Sequence, residues 1–162
     1  MRLNNRNKQG RYNFLGTLFL LAFLFGVIAF TLEKYRFDIL GSESVFLIIV
    51  PAVFLCIFYV RGRQIFEYDS DGEALNFKNR NVLMFFDKPI SDEFPKYKLM
   101  SYEIINAVIF KRLFITISSK KNHRIILKYD VSYLTKKELN DLKISLSKVI
   151  KTNQEIKREN NS

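Results

Sequence analysis

From Phe14 to Leu32 the chain reads FLGTLFLLAFLFGVIAFTL, nineteen residues without a charged side chain. Nothing else in the sequence restricts the fold as strongly. At 1.5 Å per residue, a helix of this length covers about 30 Å, roughly the hydrocarbon thickness of a bilayer. A helix at the surface of a soluble core needs one polar face, and this run has none. A transmembrane span is therefore expected. The basic leader MRLNNRNKQGR would also suit a cleaved signal peptide. The apolar run exceeds a signal core, however, and IAFTLEK offers no small-x-small cleavage pattern.

A second apolar segment covers about residues 42–60, with VFLIIVPAVFLCIFYV as its centre and Ser42, Glu43 and Ser44 at its outer boundary. Pro51 lies inside it. A proline there frees a backbone carbonyl and bends the axis, which a membrane helix tolerates when a neighbouring helix or water satisfies that carbonyl. Residues 14–60 are thus expected to form a kinked hairpin. Gly16, Gly26 and Pro51 are its candidate packing positions, because small residues let helix backbones approach closely. Neither span carries an ionisable side chain at its centre, which argues against a proton relay, ion path or voltage sensor and for an anchor or subunit contact.

Charge sets the orientation. The leader, residues 1–13, carries Arg2, Arg6, Lys8 and Arg11; the connector carries Lys34 and Arg36 against Glu33, Asp38 and Glu43. From Arg61 onward 20 basic residues face 13 acidic ones. Lys and Arg favour the cytoplasmic side of short flanking loops, so both termini are expected inside, with TLEKYRFDILGSES as a small external loop. The composition, rich in Lys, Asn, Ile and Phe, fits a bacterial protein, and an inner membrane is the expected location. The lone Cys56 lies in an apolar run and allows no intramolecular disulfide.

After Val60 the pattern changes to strand-like runs, and residues 61–151 are expected to form one antiparallel β domain ending in a helix. Residues 64–68 and 74–79 flank the turn DSDG and read as a hairpin, with Leu75 and Phe77 on one face. The stretch 81–98 contains Pro89 and Pro95; it is expected to open with a short strand through Leu83 and Phe85 and to loop in its middle. YEIINAVIF, residues 102–110, is read as a strand that turns at Lys111 and Arg112 into LFITISS. The turn SKKN then leads to HRIILKYDV, where Ile125, Leu127, Tyr129 and Val131 alternate with Arg124, Ile126, Lys128 and Asp130. Thr135 and Glu138 form a capping box for a helix over 135–151, with Leu139, Leu142, Leu146, Val149 and Ile150 on one stripe. The polar tail, residues 152–162, is expected to fray.

The runs IFEYDSDGEALNF, YEIINAVIFKRLFITISS and RIILKYDVSYLTKKELNDLKISLSKVI follow a hydrophobic hairpin. In this order they resemble the bacterial membrane proteins that carry a pleckstrin-homology-like (PH-like) domain. The resemblance implies a membrane-anchored α+β protein, whose bent antiparallel sheet is closed by a C-terminal amphipathic helix, with an interaction or scaffold role and no catalysis. Lipid-binding members place basic residues between their first two strands, whereas the turn matched here, DSDG, is acidic.

No catalytic, metal or cofactor site is expected. His123 is the only histidine and Cys56 is the only cysteine, and no GxxxxGK[ST] or GxGxxG loop occurs. The carboxylate pairs Asp69 with Asp71 and Asp92 with Glu93 read as turn chemistry. Candidate lipid or partner contacts are the basic pairs Lys111 with Arg112 and Lys120 with Lys121, together with Phe94 and Tyr97. Each Lys or Arg close to an anionic membrane surface is worth about 1 kcal/mol. The expected partners are membrane lipids and other membrane protein subunits or further copies of the chain. No nucleic acid or small-molecule substrate is expected.

Overall fold

In the computed structural model of the protein, residues 1–37, 39–82, 88–119 and 123–159 are described, residue 123 by its backbone alone. The chain forms two compact units: one is Gly10–Val60, the other combines Met1–Gln9 with Arg61–Ser162.

In the first unit, helix α1 (Gln9–Leu32) continues through a π-helical turn at Glu33–Phe37, and a 3-10 turn at Gly41–Val45 leads into α2 (Phe46–Val60). The segments Arg6–Phe37 and Gly41–Val60 are long and apolar enough to cross a membrane. The connector is shorter than expected because EKYRF contains no helix breaker and prolongs the first helix. The Glu33 carboxylate is buried and accepts the Leu40 backbone N–H, closing the turn between the helices. Gly16 and Gly26 are the buried residues of α1. Gly26 faces the Leu47 carbonyl and the Pro51 ring of α2, and Phe19 stacks on Phe54 at 6.0 Å.

The second unit begins in the leader. Residues Arg2–Asn4 form strand β1, which pairs antiparallel with β2 (Ile65–Asp69) through Arg2 with Asp69, Leu3 with Tyr68 and Asn4 with Glu67. The β domain is therefore discontinuous: its first strand precedes the apolar helices and the rest follows them. In sequence this segment reads only as a basic leader, because its only buried apolar side chain is Leu3. Asn5 secures the junction. Its side chain donates to the Gln64 carbonyl at 2.8 Å and accepts the Phe66 N–H at 2.8 Å, fully buried.

Strands β3 (Ala74–Arg80) and β4 (Ile90–Pro95) complete a sheet of order β1-β2-β3-β4. The DSDG turn precedes β3, with Gly72 at φ +73°, and it links the second and third strands, which corrects its assignment to the first two. β4 replaces part of the loop expected over 81–98. Pro95 is tolerated because β4 is an edge strand. The expected strand through Leu83 and Phe85 lies outside the described residues.

A second sheet contains β5 (Leu99–Asn106), β6 (Lys111–Ser119) and β7 (His123–Asp130), antiparallel in that order. The hairpin between β5 and β6 turns at Ala107–Phe110, with Asn106 paired to Lys111 and the Ala107 N–H donating to the Phe110 carbonyl at 2.9 Å. Lys111 and Arg112, read as a turn in the sequence, instead begin β6.

Helix α3 (Lys136–Glu159) starts at the expected box: Thr135 N–H donates to Glu138 at 2.7 Å and the Glu138 N–H to the Thr135 hydroxyl at 3.2 Å. It runs well beyond residue 151. KTNQEIKRE holds no Gly or Pro to stop it, and Asn153 donates to the carbonyls of Lys96 and Leu99 at 2.8 and 3.0 Å. Leu142 and Leu146 are fully buried in a core shared with Phe66, Tyr68, Leu75, Phe77, Leu113, Ile115, Tyr129 and Val131. Phe77 is its centre, stacked between Phe94 at 5.7 Å and Tyr129 at 4.9 Å. Burial, reinforced by the Asp92 carboxylate that accepts its hydroxyl at 2.7 Å, drives the Tyr129 phenol far above its ordinary pKa.

Candidate functional site

Chain direction brings four cations to one end of the β domain. Arg61 is the first residue after α2, Arg63 leads into β2, and Lys111 and Arg112 open β6. Two of them, Arg63 and Arg112, meet at Asp130, the last residue of β7, whose side chain is 8% exposed. Arg63 approaches its Oδ2 and Arg112 its Oδ1, each at 3.4 Å, and the Arg63 backbone N–H donates to Oδ2 at 3.2 Å.

Backbone geometry fixes this carboxylate. Gly62 adopts φ +82°, and a Cβ there would collide with the carboxylate, its oxygens standing 2.6 and 2.7 Å away. Asn79, wholly buried, accepts the Asp130 N–H at 2.8 Å and donates to the carbonyls of Ile65 and Asp130 at 3.0 and 3.1 Å. One side chain thus staples the two sheets.

Ser132 ties Arg61 to the β5–β6 hairpin. Its hydroxyl donates to the Arg61 carbonyl at 2.6 Å and accepts the Lys111 N–H at 2.9 Å. The Arg61 guanidinium lies over the Tyr133 ring at 4.7 Å and the Arg112 guanidinium over the Phe110 ring at 4.3 Å. Arg61 has no carboxylate partner among the described residues, and its Nε is buried without a hydrogen bond. Two arginines share this one carboxylate, and Arg61 and Lys111 add further positive charge to the same end of the domain. Beyond them the hairpin tip carries Val108, fully exposed, and Ile109, 48% exposed.

Of the contact residues predicted from sequence, Lys111 and Arg112 belong to this cluster. Lys120 and Lys121 lie outside the described residues. Phe94 is a correction: it is 5% exposed and packs on Phe77, because alternation along β4 turns it inward. Tyr97 is 71% exposed in the turn Lys96–Lys98 and lines a groove of about 610 Å³ with Lys148, Val149 and Asn153 of α3. Gly16, Gly26 and Pro51 belong to the helical unit.

The sequence reading missed Asp130, Arg61, Arg63 and the apolar tip. The segment R-G-R after the second apolar run was the available signal, since a glycine between two arginines marks a backbone position with a special φ. Compared with protein-family models, with curated proteins and with solved structures, the chain matches none of them.

Proposed function

We propose that the protein is a non-catalytic, membrane-anchored interaction or scaffold protein that presents a PH-like domain at the cytoplasmic face of a bacterial inner membrane. The observation that carries this reading is the pairing of β1 with β2 across the apolar helices. The apolar hairpin is thus an insertion within the β domain, joined to it by two chain connections. The order of four antiparallel strands, three antiparallel strands and a C-terminal helix supports the PH-like resemblance. Basic flanks at Arg2 to Arg11 and at Arg61 and Arg63 support the cytoplasmic assignment of both termini.

Alkaline extraction of membranes tests the anchor. The full chain is expected to stay in the membrane pellet, and a variant with Gly10–Val60 replaced by a short glycine linker is expected to be soluble and folded. Release of the full chain would contradict the anchor. Molar mass in mild detergent tests the scaffold role: self-association or a stoichiometric companion is expected, and a bare monomer would contradict it.

A further inference from the structure

The β5–β6 hairpin places two large apolar side chains in solvent at its tip, with Val108 more exposed than any other large apolar residue described in the β domain. Four-residue turns ordinarily carry Gly, Asn, Asp or Ser, which satisfy the backbone and stay hydrated. Here the turn is Ala107, Val108, Ile109 and Phe110. Isolated surface apolar residues need no explanation, but here two neighbours in sequence are exposed together in one turn, and Ile105, near the end of the strand before it, is 44% exposed.

Lys111 and Arg112 follow the tip directly, Arg112 lying over Phe110, and Ser132 joins Arg61 to Lys111; Arg61 lacks a carboxylate partner among the described residues. An apolar point behind a ring of cations matches the layered chemistry of an anionic bilayer, with acyl chains beneath phosphates. The chain's own course supplies the position. Ser132 bonds both Arg61, one residue beyond α2, and Lys111, one residue beyond the turn. The tip therefore lies at the end of the domain where the chain arrives from its second apolar helix.

We propose that the Ala107–Phe110 tip inserts into the surface of an anionic lipid bilayer, with Lys111, Arg112 and Arg61 on the phosphates, and so fixes the orientation of the domain on its membrane. The inference rests on the membrane-anchor reading and goes beyond it: the hairpin would retain the protein, and the tip would set which face is offered to partners. Aliphatic side chains give the tip affinity for lipid, and the cations make that affinity rise with anionic headgroups.

The chain contains no tryptophan, so a single introduced one reports its own surroundings. Full-length Val108→Trp, Tyr97→Trp and Phe25→Trp variants are reconstituted into vesicles of phosphatidylcholine, alone or mixed with phosphatidylglycerol, with or without bromine on the acyl chains. At position 108 the emission is expected to shift to the blue and to be quenched by bromine, more deeply with phosphatidylglycerol. At position 97 neither change is expected. Position 25, exposed on α1, is expected to be quenched in both lipids. Quenching at 25 with position 108 behaving like 97 would overturn the tip proposal alone. A blue shift at 108 that depends on protein concentration and ignores bromine would assign the tip to a second copy and likewise overturn it. Absence of quenching at 25 would refute the anchor reading, and the tip proposal with it.

Discussion

The backbone carbonyl of Leu47 stands where a Cβ on Gly26 would lie, with the Pro51 Cγ 3.0 Å from the same point. Pro51 has no N–H, so the carbonyl four residues before it loses its helical donor. That carbonyl belongs to Leu47. The absence of a Cβ on Gly26 leaves the room that this carbonyl occupies. The proline and the glycine are one packing device, shared between the two helices.

Gly26→Leu is expected to separate the helices, at a cost of about 1–3 kcal/mol typical of overpacking. Gly10→Ala, where nothing lies within 4 Å of the added atom, should be silent. Disulfide formation between cysteines at 19 and 54, in a Cys56→Ser background, reads the difference. Equal yields in all variants would count against the close approach.

Gly62→Ala and Gly72→Ala both force a side chain onto a positive φ, at +82° and +73°, but only Gly62 has the Asp130 carboxylate against it. Thermal unfolding of the full chain in detergent should show Gly62→Ala to be the more damaging by about 1 kcal/mol or more. In an Asp130→Ala background this extra cost should vanish. Persistence of the difference there would refute the clash.

Asn5→Ala strands two buried backbone groups, the Phe66 N–H and the Gln64 carbonyl, and is expected to destabilise the domain by about 2–4 kcal/mol. Asn4 makes only an exposed local bond, and Asn4→Ala should be near neutral. Hydrogen exchange at the Phe66 amide checks both. Unchanged protection in Asn5→Ala would mean that the leader does not hold β2.

The legible parts of the fold were those with local signals. The uncharged run of Phe14 to Leu32, the capping box of Thr135 and Glu138, and the alternation around Tyr129 each carry their own periodicity. The leader strand was not legible because its partner Tyr68 lies more than sixty residues away and only Leu3 marks a buried face. The β5–β6 turn was missed because Ala107 to Phe110 extends the apolar pattern of a strand past the point where the chain reverses. The site was half legible: Lys111 and Arg112 stand out as charges, whereas Asp130 gains its role only when Gly62 and Asn79 are brought against it from distant strands.

Burial of Glu138 would raise its carboxyl pKa, but hydrogen bonds from Thr135 and from Lys8, the latter at 2.9 and 3.0 Å, outweigh burial and hold it below the ordinary value of 4.5. A carboxyl lowered in the folded state stabilises above its unfolded pKa and loses that contribution as pH falls through the folded value. Stability should therefore decline as pH falls below about 4.5, and Glu138→Gln should flatten this part of the profile. Identical acid limbs in both proteins would argue against the Lys8 link between leader and helix.

The central claim is that the apolar hairpin spans a membrane with β1 and the β domain together on its cytoplasmic side. Single cysteines at Tyr35, 83% exposed between the helices, and at Asn4 and Tyr97 of the β domain, all in a Cys56→Ser background, test it in intact cells with an impermeant maleimide. Position 35 should react in intact cells, and positions 4 and 97 only after lysis. Reaction at 97 or 4 before lysis, or protection of 35, would contradict it.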